Sequence, residues 1–174
     1  MTDQRRQILA ENLPALLRFA RSLTRDPSIA DDLVQDTVVR ALERQHQFDE
    51  QRSYRAWLLT LTHNLFVDGW RRTRVRQRAH PELEARAAIQ SQPNQEHSAI
   101  LRDTLRAFDT LPQEQRAVLH LVVVEGSSYA EAAGVLGIPV GTVMSRLSRA
   151  RLALRDPKPT PAVGHLRLVS DRDA

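Results

Sequence analysis

Apolar positions recur at helical spacing along nearly the whole chain, and no alternating run suggests a strand. The first stretch runs from about Gln4 to Thr24 and carries Ile8, Leu13, Leu16, Leu17 and Leu23. Pro14 falls inside it, which predicts either a kink or a later start near Leu13. Asp26-Pro27 breaks the chain, and Ser28 with Asp31 reads as a capping box opening a second helix to about Gln45. A polar turn from Phe48 to Arg52 precedes a third helix, Ser53 to about Arg76, whose buried stripe is Tyr54, Trp57, Leu58, Leu61 and Leu65.

Between His80 and Glu96 the pattern gives way to Pro81, Ala- and Gln-rich text and Pro93, the composition of a linker with a short helix around Leu83 to Ile89. Helical spacing resumes near Ser98 with Ile100, Leu101, Leu105 and Phe108. Thr110 and Gln113, with Pro112 in the first turn, predict the cap of a helix that runs to about Val124 and ends at Gly126. Ser128 and Glu131 cap a short helix, Tyr129 to Leu136. Gly137-Ile138-Pro139 then turns into a last helix reaching about Leu154. Three prolines follow, Pro157, Pro159 and Pro161, in a polar stretch expected to be mobile. The expectation is an all-α protein of two small helical domains, residues 1–79 and 98–156, joined by a flexible linker at 80–97 and followed by a tail at 157–174.

The segment from Tyr129 to Arg151 has the helix, three-residue turn, helix form that DNA-reading pairs use. Val143, Leu147, Ala150 and Leu154 make an apolar stripe that can pack on Ala132, Ala133 and Leu136. Thr142, Ser145, Arg146 and Arg149 make a polar stripe with no acid in it. Gly141 leaves the helix start bare where backbone can approach phosphate, and helix N-termini favour anions. A solvated hairpin would show one or two of these features; the short turn, the caps, the glycine and the Thr/Ser/Arg face together point to DNA.

Charge sharpens the picture. The net charge is +4 and Lys158 is the sole lysine, so the basic character is almost all arginine, with its fork of donors for phosphate and guanine edges. Arg71, Arg72, Arg74, Arg76 and Arg78 place five cations within eight residues, a phosphate track beside the third helix, on whose polar side Asn64 has the donors and acceptor to read an unstacked base. The second helix is the opposite: Asp31, Asp32 and Asp36 lie there with Gln35 and Val39 and no cation before Arg40. Such an edge repels nucleic acid and suits a basic protein surface. Aromatics are 5% of the chain, in keeping with Leu/Val/Ala helix cores.

Other chemistries are poorly served. With no cysteine, disulfides, iron–sulfur clusters and thiolate zinc sites are excluded. His46, His63, His80 and His97 recur every 17 residues, but none forms the i, i+4 pair of a metal-binding helix. No phosphate-cradling glycine loop or nucleophile elbow is present. The expectation is therefore no catalysis, metal or cofactor. No apolar run approaches the ~20 residues of a membrane span, and no signal-like segment follows Met1, so a cytoplasmic protein is expected.

Several blocks resemble the extracytoplasmic-function sigma factors of bacterial RNA polymerase. Leu111-Pro112-Gln113-Glu114-Gln115-Arg116, Glu125-Gly126-Ser127-Ser128-Tyr129-Ala130-Glu131-Ala132-Ala133 and Gly141 through Arg151 are similar to the family's C-terminal domain. Leu23 to Pro27, Ala30 to Thr37, and Tyr54-Arg55-Ala56-Trp57-Leu58 with Asn64 and Asp68 are similar to its N-terminal domain. The likeness spans roughly residues 10 to 155 in order. It departs at Met144, more often basic in the family, and at Gly69 and Trp70. The resemblance implies a promoter-recognition subunit. Gly141, Thr142, Ser145, Arg146 and Arg149 would read the element near minus thirty-five. Asn64, Arg71 and Arg74 would engage the melted minus-ten element. Asp32, Gln35, Asp36 and Val39 would bind core polymerase at its clamp helices, and an anti-sigma protein would hold the chain inactive.

Overall fold

The computed structural model describes residues 3–79 and 107–155. Leu9, Leu16, Phe19, Ala20 and Leu23 fall on one side at helical spacing and form the buried stripe of α1 (Asp3–Thr24). The stripe is turned slightly from the expected one: Leu13 is exposed and Ile8 half-buried, while Leu9 and Phe19 take core positions. Pro14 neither breaks the helix nor delays its start. It lies on the exposed side, and Ala10, whose carbonyl loses its N–H partner to the proline, is exposed too, so water can take that partner's place.

Arg25 ends α1 in the left-handed region, at φ 62°. Asp26 then opens α2 (Pro27–Arg44), its Oδ1 accepting the N–H groups of Ser28 at 2.8 Å and Ile29 at 3.0 Å. The helix thus begins before the expected Ser28–Asp31 box, with Pro27 pre-set for its first turn, because Asp26 satisfies the free amides first. A 3-10 turn (Gln45–Gln47) leads to Phe48, which packs with Tyr54 and Trp57 at ring separations of 4.9 and 5.3 Å. The last two rings belong to α3 (Tyr54–Ala79). Thr37 of α2 and Thr62 of α3 meet in the core, 3.3 Å apart and fully covered. Each hydroxyl donates back into its own helix, to Leu33 and Leu58 carbonyls, which makes burial of two threonines tolerable.

In the second helical unit, helical residues 107–110 precede α4 (Gln113–Leu119), which opens after Pro112. No side chain caps it: Thr110, expected to do so, donates its hydroxyl to the Ala107 carbonyl at 2.7 Å instead. The helix widens into a π turn (His120–Val124), where the Glu125 N–H reaches the His120 carbonyl at 3.0 Å. Gly126 (φ 69°) reverses the chain. The capping box of α5 (Tyr129–Leu136) is complete, with Glu131 N–H on Ser128 Oγ at 3.2 Å and Ser128 N–H on Glu131 Oε2 at 2.8 Å. Gly137 closes α5 at φ 64°, and α6 (Val140–Arg155) follows three residues after Leu136. Val143, Leu147 and Ala150 of α6 are buried with Ala132, Ala133 and Leu136, as their spacing predicts.

The two helical units do not sit apart. α1 packs on α4 and α3 on α5, and one continuous cluster runs from Leu9 to Ala150. Phe19 of α1 and His120 of the π turn bring their rings to 5.5 Å. Among the described residues there is no strand, and no helix long and apolar enough to cross a membrane. The expected linker at 80–97 and tail at 157–174 lie outside the described residues, as do Ile100, Leu101 and Leu105.

Candidate nucleic-acid interface

The turn Gly137-Ile138-Pro139 sets the angle between α5 and α6. Gly137 adopts the left-handed geometry that lets Ile138 N–H bond the Ala133 carbonyl at 3.1 Å, and Pro139 O receives the amides of Thr142 and Val143. With Val143 and Leu147 locked inward, Gly141, Ser145 and Arg149 point to solvent. Ser145 Oγ donates to the Thr142 carbonyl at 3.1 Å, leaving its lone pairs outward. Four arginines and no acid lie on α6.

Thr142 and Arg146 are only half-exposed. Arg146 Nη2 is 2.6 Å from Oε2 of Glu114, in the first turn of α4, and its side chain keeps 23% of its exposure. Five expected readers thus share one helix, but one of them is engaged inside the protein.

On α3, Asn64 and Arg71 are exposed. Arg74 lies on the same helix, its side chain outside the described residues. The flank beside them is half-covered at His63, Phe66 and Val67, which with Arg71 form one wall of a cleft of about 360 Å³, with Leu136, Ile138 and Arg146 opposite. Burial, then the nearby Arg146 charge, pushes the His63 imidazole below its ordinary value. Of α6, Arg146 lines this cleft with α3, while Gly141, Ser145 and Arg149 stay on its outer face.

On α2, Asp32, Gln35, Asp36 and Val39 are all exposed on neighbouring turns. Ile29 and Val39 keep more than half their exposure and Leu42 nearly two fifths, so the acidic edge has an apolar margin. Glu43 is drawn toward Arg40 at 3.4 Å and Asp26 is used as a cap, which leaves Asp32 and Asp36 as the centre of the edge.

Sequence reasoning missed a cluster between the helical units. Glu125, its side chain fully covered, receives Arg18 Nη2 at 3.1 Å, Arg55, and His120 Nε2 at 3.1 Å. Arg116 is buried and donates to the carbonyls of Ser22 at 2.8 Å, Leu23 at 3.2 Å and Leu111 at 2.7 Å. Burial lowers its pKa to about 10, with Arg25 adding to the shift. The one signal in the sequence was Arg116 itself, a cation directly ahead of the apolar run from Ala117 to Leu119.

Comparison with known proteins matches these elements. Sigma-70 region 2 matches residues 8–76, and Sigma-70, region 4 matches residues 101–154. The chain is 38% identical over 154 residues to the ECF RNA polymerase sigma factor EcfG of Rhodopseudomonas palustris, covering 88% of this chain and 84% of that one. It is 37% identical over 154 residues to the ECF RNA polymerase sigma factor SigL of Mycobacterium tuberculosis, covering 86% of each. Among solved structures, the sigma factor RpoE of Bartonella quintana, crystallised with the anti-sigma factor NepR, superposes with a TM-score of 0.74 at 35% identity, over 88% of this chain and 96% of that one. Two matched regions in the right order, on the helices that carry the acid-free and the acidic faces, place this chain in the extracytoplasmic-function family of RNA polymerase sigma factors.

Proposed function

We propose that this chain gives core RNA polymerase its promoter specificity through three surfaces. The α6 face of Gly141, Thr142, Ser145, Arg146 and Arg149 reads the minus-thirty-five element in a major groove, where arginine forks fit guanine edges. Asn64, Arg71 and Arg74 of α3 hold the separated strands of the minus-ten element. The α2 edge of Asp32, Gln35, Asp36 and Val39 docks on a basic, partly apolar polymerase surface such as the clamp helices. Bond formation belongs to the polymerase, and the chain works in the cytoplasm, where polymerase and promoter are. An anti-sigma protein is its natural inhibitor.

The observation that carries this reading is the segregation of charge. One chain exposes an acid-free arginine helix and, on another helix, a bare aspartate edge with valine and isoleucine beside it. A regulator acting alone has use for the first only. The test is Asp32→Arg with Asp36→Arg: association with core polymerase should fall at least tenfold while helicity stays unchanged. Wild-type association by the double variant would remove the docking assignment.

A further inference from the structure

α6 carries no acid of its own, yet the fold brings one against its polar edge. Glu114, in the first turn of α4, sets its Oε2 2.6 Å from Arg146 Nη2. An acid beside a helix that meets a polyanion repels phosphate, which lowers affinity for any sequence. The Glu114 side chain keeps 65% of its exposure, and ion pairs that open to water contribute little to folding. Neither general affinity nor stability therefore accounts for an acid at this point.

Direction does account for it. Thr142, Arg146 and Arg149 fall at i, i+4 and i+7 and share one edge of α6. Arg146 stands where that edge meets the buried stripe, and among the described residues Glu114 is its only ion-pair partner. Apolar Ala117, Leu136 and Ile138 line the space around the pair. Nη2 carries one hydrogen on each of the two forked edges of a guanidinium, so a single bond to Glu114 leaves the other edge whole. A free arginine loses rotamer freedom when it meets a base, whereas one already held loses less and tolerates fewer alternatives.

We propose that Glu114 is a positioning residue for base readout: it holds Arg146 by Nη2 so that the remaining forked edge meets one guanine of the upstream element, beside Thr142 and Arg149. The proposal rests on the promoter reading above and adds to it a residue outside the recognition helix.

The test measures binding of holoenzyme, full chain with core polymerase, to DNA that the wild-type holoenzyme selects from a randomised library and to its single-base variants. Arg146→Ala should erase a preference of about tenfold at one upstream position. Glu114→Ala, at an exposed site where truncation leaves the fold intact, should flatten that same position and no other. Glu114→Gln, which keeps an oxygen acceptor in place without the charge, should restore most of the preference. With Arg146→Ala already present, Glu114→Ala should change nothing at that position. If Glu114 acts through its charge alone, Glu114→Ala tightens binding evenly across all sequences and leaves the preference intact. That result overturns the positioning role, as does a preference that Arg146→Ala leaves unaltered or that Glu114→Gln fails to restore. A wild-type holoenzyme that selects no DNA overturns the promoter reading itself, and the positioning role with it.

Discussion

His120 shows how far a single residue's chemistry can depend on what packs over it. Its ring is covered by Phe19, and burial first, then the charges of Arg18 and Arg55, lowers its pKa to about 4. It is neutral at ordinary pH, and the tautomer with its proton on Nε2 donates to Glu125. Between the ordinary imidazole value near 6.5 and the folded value near 4, the unfolded chain binds a proton that the folded chain refuses. Stability is therefore unaffected by this group above pH 6.5 and falls as pH drops toward 4, by roughly 3 kcal/mol at most. Thermal melting followed from pH 7 to pH 5 should show a declining midpoint. His120→Gln, which keeps a donor but no titratable proton, should flatten that decline, and an equally steep decline in the variant would place the titration elsewhere. Nothing around His120 in the sequence separates it from the other five histidines; only the fold surrounds it with cations.

Among elements, α6 is the most completely legible. Its stripe of Val143, Leu147 and Ala150 is buried where the 3.6-residue period places it, because a helix entered from a tight turn and packed on its neighbour has one way to cover its apolar side. Met144, one step round from that stripe, keeps 52% of its exposure. Met144→Arg should therefore add a phosphate contact: upstream-element affinity should rise and the logarithmic salt slope should steepen by about one unit, with a stability change within about 0.5 kcal/mol. A normally folded variant with an unchanged slope would mean that this edge of α6 does not meet DNA. α1 and α2 were less legible at their ends and phase. Several rotations of α1 put leucines on one side, and the choice of Leu9 and Phe19 over Leu13 is made by α2, α3 and α4 packing against it. At α2, Asp26 and Ser28 are both good caps, and the turn geometry set by Arg25 decides between them.

At the scale of the whole molecule, two units that the sequence separates share one core. Leu23 of α1 and Val118 of α4 belong to the same buried cluster, and Arg116 crosses between the units. Shared burial couples their stabilities, so calorimetry of the free chain should give one transition, with van't Hoff and calorimetric enthalpies equal. Two resolved transitions would show that the units fold and melt independently, and the shared core would then contribute little.

Local chemistry was enough to determine the helices, the helix-turn-helix, the arginine and aspartate faces and the family, because each depends on neighbours within a few turns: spacing, caps, turn residues and the sign of nearby charge. The site residues on α2 and the outer face of α6 are exposed for the same local reason. The packing of α3 on α5, the half-burial of Arg146 and the enclosure of Glu125 are different in kind. Arg18 and Glu125 are 107 residues apart, and Arg116 and Ser22 are 94 apart. A fully exposed arginine and a buried one read alike in sequence, since the carbonyls and carboxylate that satisfy the buried one arrive only when distant helices pack.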